Sequence, residues 1–328
     1  MCKNIRLLFS NRSFYFTLIF VCLLASFLLN IFALIVPFID VRKVLHPVTH
    51  YNLIRSIFLM WDNGLVILAI IVVICSIIFP FAKLTVLASG LLHFKRVNTD
   101  AFLIKWVEIL GKWSMVDVFI VCFILALTND QVFVDSRPRI GLYAFILAIM
   151  LSLISGSLLI QSLHSEAQGK TFAHKSRPPL WYGIVVVLSA LGWLGVLVLP
   201  FVSIDDWLLR DHAFTVATFI WAISQQRAPL IAVVLVSFLV LIPALELILD
   251  WSIWYGLRHG QTCSLRRFAV NLIRPWSMID VFLIALIIFL LEGQSLMTLE
   301  PGWGIVMLVM IVVINGLKAF ARVRLFRT

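Results

Sequence analysis

Long apolar runs separated by short polar segments make up most of the chain. The first half holds four runs of membrane length, at about 14–37, 64–92, 114–128 and 142–163. The second half holds four more, at about 181–201, 228–249, 277–292 and 303–321. Because about 20 apolar residues in a helix cross the bilayer core, this pattern predicts an all-α integral membrane protein with eight spans. The third run of each half is short, which predicts a tilted helix or one that begins further upstream.

The two halves repeat each other at a constant offset of 163 residues. The heptapeptide WSMVDVF occupies Trp113 to Phe119, and WSMIDVF occupies Trp276 to Phe282. Other residues keep the same offset without a gap: Pro37 and Pro200, Pro80 and Pro243, Ser26 and Ser189, Gly141 and Gly304. The repeat predicts two tandem four-helix transmembrane modules, 1–163 and 181–328, joined by a polar cytoplasmic linker, 164–180.

Composition agrees with a membrane protein and argues against a soluble one. Hydrophobic residues make up 62% of the 328 residues, charged residues 13%, and the mean hydropathy is +1.07. A soluble domain has about 25% charged residues. The net charge of +10 does not indicate nucleic-acid binding, because the basic residues flank apolar runs and form no basic domain.

The distribution of Lys and Arg predicts the orientation of the spans. With the N-terminus inside, the inner segments carry 18 basic residues and the outer segments 7, with Lys83 alone assigned to a span. Basic residues favour the cytoplasmic side, so both termini are expected to be cytoplasmic. An even number of spans per module gives both modules one orientation, related by a pseudo-twofold axis along the membrane normal.

Ionisable residues inside the predicted spans are the first candidates for function. Lys83 and Glu246 each follow a proline of the second span by three residues, and Asp117 and Asp280 lie early in the third spans. Such groups are costly in a bilayer and commonly pair or line a pathway. Lys83 can pair with Asp117, whereas Glu246 and Asp280 would repel each other unless they share a proton.

Several alternatives stay open for these groups. Glu246 could instead reach Lys83 across the pseudo-twofold axis, and Arg274 could neutralise one of the second module's carboxylates. Lys83 and Glu246 could also extend to the inner membrane surface. For Asp117 and Asp280, a helix-capping role is compatible with their position near a helix N-terminus.

The prolines and the repeated heptapeptide have simpler explanations beside functional ones. Pro80 and Pro243 free the carbonyl four residues earlier and kink the second span, which either opens a cavity or fits a bent helix to its neighbours. The interface motif, formed by Trp113 with Ser114 and by Trp276 with Ser277, lies at the predicted inner membrane boundary, where indoles are favoured.

The sequence contains no pattern typical of an enzyme or a metal site. It has no phosphate-binding glycine loop, no HExxH and no GxSxG. Its seven histidines have no metal-ligand spacing with its five cysteines. We therefore expect neither catalysis nor a metal or cofactor.

The repeated W-S-M-[VI]-D-V-F heptapeptide, with an apolar stretch and central proline about thirty residues upstream, resembles the paraquat-inducible protein A family. The resemblance extends over nearly the whole chain. It implies a multi-pass protein of the bacterial inner membrane that loads or receives phospholipid for a periplasmic partner built from mammalian-cell-entry (MCE) domains. It also implies a role in envelope integrity. The zinc-ribbon segments common in the family have no counterpart here, so no zinc-dependent property is expected.

Three functions fit these features. One is a non-enzymatic subunit of a lipid-trafficking system, which is the function that the resemblance implies. Another is a stand-alone secondary transporter that uses the intramembrane charges. The last is an envelope scaffold that anchors other proteins and transports nothing.

Overall fold

The computed structural model describes residues 12–43, 49–62, 64, 66–92, 111–128, 134–167, 180–206, 209–225, 228–259, 269–270, 273–293 and 299–327. The chain divides into two compact units. Unit 1 comprises the described residues of Met1–Val118 and Pro138–Thr171, and unit 2 those of Phe119–Arg137 and Phe172–Thr328.

The described residues of the first half form helices, one π-helical turn and three short strands. In order they are α1 (Arg12–Ile35), β1 (Ile39–Lys43), β2 (Thr49–Tyr51), α2 (Leu53–Asp62), α3 (Val66–Val72), π1 (Val73–Ile78), α4 (Phe79–Leu92), α5 (Val116–Thr128), β3 (Val134–Pro138) and α6 (Ile140–Ala167). Helix α6 therefore continues into the first residues of the predicted linker. Residues 168–179 of that linker lie outside the described part.

The second half has the same succession of elements. In order they are α7 (Leu180–Val198), β4 (Val202–Asp206), β5 (Leu209–Phe214), α8 (Val216–Gln225), α9 (Pro229–Val236), π2 (Ser237–Leu241), α10 (Ile242–Arg258), a 3-10 turn (Arg274–Trp276), α11 (Ile279–Gly293), β6 (Leu299–Pro301) and α12 (Trp303–Arg327).

Six described helical segments are long and apolar enough to cross a membrane. They are Phe16–Ile35, Ala69–Leu91, Ile140–Leu159, Leu180–Val198, Pro229–Gly256 and Trp303–Phe320. The prediction of a mostly helical chain with membrane-spanning helices is thus confirmed. Helices α5 and α11, the predicted third spans, have 13 and 15 residues, which is short for a crossing. The total of eight spans therefore stays a prediction.

Two small antiparallel sheets were not expected from the apolar pattern. Their strand orders are β2-β1-β3 and β5-β4-β6. In the first, Ile39 is opposite Tyr51, and in the second, Val202 is opposite Phe214. The sheets follow the first span of each half, where the chain must satisfy its backbone N–H and C=O groups outside a helix. The fold is therefore mainly helical with two small β-caps.

The first and fourth predicted spans pack along each other in each unit, α1 with α6 and α7 with α12. Small residues at these faces are fully buried, among them Ala33 of α1 and Ala148 of α6. Small side chains let membrane helices approach closely enough for van der Waals packing, since lipid supplies no hydrophobic drive between helices. Larger side chains such as Phe20 and Leu188 lie on the exposed faces, where acyl chains are their expected neighbours.

Two glycines anchor the start of the fourth span to the end of the first. The backbone N–H of Gly141 donates to Pro37 O (3.2 Å), and that of Gly304 donates to Pro200 O (2.8 Å). A Cβ at either glycine would lie 2.7 Å from the proline oxygen that it faces. Only glycine fits such an approach, so these equivalent positions set how closely the two helices meet.

A π-helical turn precedes each second-span proline. Phe79 N–H donates to Ile74 O, and Ile242 N–H donates to Ser237 O, both five residues back. The wider turn accommodates the ring of the following proline, which would clash with a carbonyl in a regular α-helix. The prolines predicted as kinks, Pro80 and Pro243, therefore lie just after π turns.

A cluster of phenylalanine rings forms much of the core of unit 2. Phe123 of α5 lies with its ring centroid 4.9 to 6.1 Å from those of Phe201, Phe219, Phe282 and Phe289. Such tilted and edge-on pairs stabilise beyond the area that they bury. They explain why residues 119–137 belong to this unit.

We expect Gly304→Ala to destabilise the protein by about 1–3 kcal/mol, because the new methyl group overlaps Pro200 O. Gly316→Ala is the matched control on the same helix, since a Cβ there meets nothing within 4 Å and alanine favours the helix. Thermal unfolding of both purified variants in detergent measures the difference. Equal melting temperatures for Gly304→Ala and the unsubstituted protein would contradict the close approach.

Candidate functional site: buried polar groups in the apolar helices

Lys83 of α4 lies buried inside unit 1, with 1% of its surface exposed. Its ammonium Nζ donates a hydrogen bond to Ser152 Oγ of α6 over 2.8 Å. The Ser152 hydroxyl in turn donates to Ile149 O (2.8 Å). A charged group in an apolar interior is costly unless it is hydrogen-bonded, so Ser152 is a main determinant of where the ammonium lies.

The segment before α5 contacts the same lysine. A Cβ on Gly111 would lie 3.4 Å from Lys83 Nζ, and the Ser114 hydroxyl donates to Gly111 O (3.0 Å). Gly111, whose carbonyl accepts the Ser114 hydroxyl of the interface motif, therefore lies next to the buried ammonium. At the 163-residue offset, Lys83 corresponds to Glu246 and Gly111 corresponds to Arg274.

The carboxylates predicted to join this network are located less completely. Asp117 lies in α5, but its side chain is outside the described part, so its pairing with Lys83 stays a prediction. Glu246 is buried in α10, with 6% of its surface exposed. Asp280 is half-buried in the first turn of α11, and Arg274 is exposed at the start of the 3-10 turn. The shared-proton pairing of Glu246 and Asp280 also stays a prediction.

A buried ion pair in unit 2 was missed by the sequence analysis. Lys318 Nζ of α12 lies 3.5 Å from Asp250 Oδ2 of α10, and the two side chains are 2% and 0% exposed. Lys318, one of the 18 basic residues assigned to the inner segments, is therefore buried within the fourth span of the second half. The available signal was spacing, because Asp250 follows Glu246 by four residues and so lies on the same helix face.

The repeat shows that this pair belongs to the second half alone. The residues at the corresponding positions of the first half are Leu87 and Ser155, both fully buried. In unit 1 these residues lie on α4 and α6, which pack against each other. Equivalent buried positions thus hold an ion pair in unit 2, and a leucine and a serine in unit 1.

A second polar contact of unit 2 joins its first and fourth spans. Ser189 Oγ donates to Asn315 Oδ1 over 3.2 Å. In unit 1 the equivalent serine, Ser26, donates instead to the backbone oxygen of Ala148 (2.8 Å). Asn315 corresponds to Ser152 at the offset of 163, so both units carry a hydrogen-bonding side chain at this position of the fourth span.

The carbonyl freed by Pro243 has a partner in the structure. Trp193 Nε1 donates to Leu239 O over 3.3 Å, which replaces the hydrogen bond that proline cannot make.

The tryptophans of the interface motif make aromatic contacts. Trp113 meets Phe79 edge-on (6.3 Å between centroids), and Trp276 stacks on Phe238 (6.1 Å). Trp113 is exposed and Trp276 is half-buried, while Ser114 and Ser277 are buried.

A charged cluster lies in the β-cap of unit 1, outside the spans. Asp40 accepts hydrogen bonds from His50 Nδ1 (2.6 Å) and Arg139 Nε (2.5 Å). Burial of the Asp40 carboxyl raises its pKa, but the hydrogen bonds from His50 and Arg139 outweigh burial and leave the pKa below its ordinary value of 3.8. The cluster ties β1 and β2 to the start of α6.

Comparisons with known proteins bear on both halves of the chain. A family model described as Paraquat-inducible protein A matches residues 17–165 and again residues 184–325. The Intermembrane transport protein PqiA of Escherichia coli (strain K12) is 28% identical over 138 residues, which are 40% of this chain and 33% of that protein. The same organism's Lipophilic envelope-spanning tunnel protein A is 34% identical over 91 residues, 26% of this chain and 21% of that protein. The chain thus spans about a third or less of these relatives, and no solved structure matches it.

We expect either single substitution in the ion pair, Asp250→Leu or Lys318→Ser, to destabilise unit 2 by about 3–5 kcal/mol, because it leaves one charge buried and uncompensated. The double variant carries the residues that unit 1 has at these positions, and it should recover most of the loss. Thermal unfolding of the three purified variants tests this. A double variant no more stable than the singles would show that the pair is not energetically coupled.

We also expect Asp40→Asn to destabilise the cap at neutral pH. Since the folded pKa of Asp40 is lowered, its stabilisation is present above pH 4 and disappears as the pH falls through the folded pKa. The difference in unfolding temperature between Asp40→Asn and the unsubstituted protein should therefore shrink towards zero below pH 4. The exposed Asp62, changed to Asn, is the control. A difference that persists in acid would indicate that the carboxylate charge is not responsible.

Proposed function

Since the chain belongs to the paraquat-inducible protein A family, we propose that it is a non-enzymatic inner-membrane subunit of a lipid-trafficking system. In this proposal it loads phospholipid onto, or receives it from, a periplasmic partner built from MCE domains, and so supports envelope integrity. The observation that carries the proposal is the family match over both halves. The names of two relatives, an intermembrane transport protein and a lipophilic envelope-spanning tunnel protein, support it.

The proposal includes a topology. Each half would cross the membrane four times, with α5 and α11 as the short third crossings, and both termini would be cytoplasmic. The excess of Lys and Arg in the inner segments supports this orientation. The β-caps then lie on the periplasmic side, where a partner protein would meet the chain.

The buried polar groups give this topology a chemical role. In the apolar interior of unit 1, the Lys83 ammonium with Ser152 offers a cation and a hydroxyl. In unit 2, Asp250 and Lys318 form an ion pair, with Glu246 one turn away from Asp250 on α10. Such groups can hold a lipid phosphate or exchange a proton inside the membrane. We propose that proton movement at these groups, including Glu246 and Asp280, supplies free energy for lipid movement.

A stand-alone secondary transporter is the second candidate, and the same buried charges favour it. The two candidates differ in the cargo that they move and in the molecules that should co-purify with them. A secondary transporter would move a small solute by itself, whereas the lipid subunit would co-purify with phospholipid and with a periplasmic MCE-domain protein. A scaffold would need the partner but would tolerate changes in the buried charges.

The first experiment is mass spectrometry of the tagged protein purified from native membranes in a mild detergent. We expect phospholipid and an MCE-domain protein to co-purify. An unrelated multi-pass protein with the same tag, purified in the same way, is the control for carried-over membrane lipid. Recovery of neither above this control, in several detergents, would contradict the lipid-trafficking proposal.

A second experiment tests the polar groups directly. We expect Ser152→Ala to slow transfer of a fluorescent phospholipid between vesicles by about tenfold, or about 1.4 kcal/mol in the barrier, because Lys83 loses the acceptor that positions it. Ser157→Ala is the matched control, since that exposed hydroxyl bonds only to Ile154 O of its own helix in the described structure. Equal transfer rates for both variants would contradict a role of this hydrogen bond in lipid transfer. A loss of thermal stability in Ser152→Ala alone would then indicate that the bond only stabilises the fold.

A further inference from the structure

The short helix α2 of unit 1 presents an apolar stripe away from the protein. Ile54, Phe58 and Trp61 are 44%, 65% and 54% exposed. Their spacing of four and three residues places them on one stripe of the helix. The charged residues Arg55 and Asp62, seven positions apart, lie exposed on the neighbouring stripe. The helix is therefore strongly amphipathic, with its apolar stripe outside the core.

Both ends of α2 are held close to membrane-spanning segments. At its start, Tyr51 O accepts a hydrogen bond from Phe38 N–H, just after α1 ends (2.8 Å). At its end, residues 63–65, with Gly64 in the left-handed conformation at φ 83°, lead into α3 and the second span. The four backbone steps from Asp62 to Val66 extend at most about 14 Å, so the end of α2 cannot lie far from the start of the second span.

The corresponding helix of unit 2 lacks this stripe. Helix α8 occupies the same place in the repeat, but at the offset of 163 Ile54 becomes Ala217 and Trp61 becomes Ser224. The charged positions become Thr218 and Gln225. One large aromatic residue, Trp221, remains exposed at the position of Phe58. The chain thus contains its own comparison helix, with the same connections and a weaker apolar face.

We propose that α2 is an interfacial membrane helix that inserts Ile54, Phe58 and Trp61 into the leaflet on the β-cap side, while α8 remains largely in water. The partner is the lipid surface, because α2 packs against the membrane-spanning helix α1, whose apolar side chains Phe32 and Ile35 are also exposed. Arg55 and Asp62 then face headgroups and water, as in other surface-lying amphipathic helices. The leaflet is the periplasmic one if the topology under the proposed function holds, and only that detail rests on it.

The test uses the full-length chain, with its five cysteines replaced, in vesicles of phosphatidylethanolamine and phosphatidylglycerol. A nitroxide is attached to a single cysteine at Ile54, Phe58 or Trp61, and collision with oxygen and with a water-soluble nickel chelate is measured. We expect labels at these positions to collide mainly with oxygen, as acyl-chain sites do. Labels at Asp62, Ala217 and Ser224 should collide mainly with the nickel chelate.

Two further measurements complete the experiment: a control in which α2 receives residues of α8, and a fluorescence measurement that needs no cysteine label. In the protein labelled at position 58, the substitutions Ile54→Ala and Trp61→Ser give α2 the residues that α8 has at the equivalent positions. Nickel access of this label should then rise towards that of a label at Trp221. In the otherwise unsubstituted protein, brominated lipid should quench an emission component that Trp61→Phe removes. Equal nickel access at Ile54, Phe58 and Asp62 would overturn the proposal, and so would unchanged quenching in Trp61→Phe. Either result is also what a stripe bound to a protein instead of lipid would give.

Discussion

The hydrocarbon core of a bilayer offers no hydrogen-bond partner, so polar groups in the spans must find theirs within the protein. This constraint accounts for the main interior contacts. The Lys83 ammonium binds Ser152, and Lys318 lies against Asp250. The indole N–H of Trp193 donates to the Leu239 carbonyl, to which Pro243 cannot donate. Each contact also joins two different helices, so satisfying the polar groups at the same time fixes how those helices pack.

The two halves share a backbone frame and differ in the charges that it encloses. The glycine contacts to Pro37 and Pro200, the π turns and the antiparallel hairpins recur at equivalent positions. Within that frame the first half has Lys83, whereas the second has Glu246 and the Asp250–Lys318 pair. Backbone contacts depend on close approach and tolerate few side chains, while interior positions tolerate any group that finds a partner. This difference allows a repeated fold to acquire a distinct chemistry in each half.

These observations fit the proposed role in lipid traffic. A subunit that handles phospholipid must meet acyl chains along its surface and a charged headgroup at some point of the transfer. The exposed faces of the spans are apolar, and the charged groups lie between helices. The β-caps, with the Asp40 cluster in unit 1, carry the polar surface at one end of the spans. Each span thus has apolar side chains on its exposed face and polar groups on the sides that meet other helices.

The membrane-spanning helices, the repeat offset and the family can be predicted from the sequence alone, as can the presence of Lys83 and Glu246 within the spans. Each of these follows from local hydrophobicity or from order along the chain. The fold was needed to show that Lys83 binds Ser152, 69 residues away, and that Lys318 is buried against Asp250. The partner of a polar side chain depends on which helices meet and at what depth, which hydropathy does not encode. The β-caps and π turns likewise arise from hydrogen bonds that the backbone makes, to which an apolar pattern is insensitive.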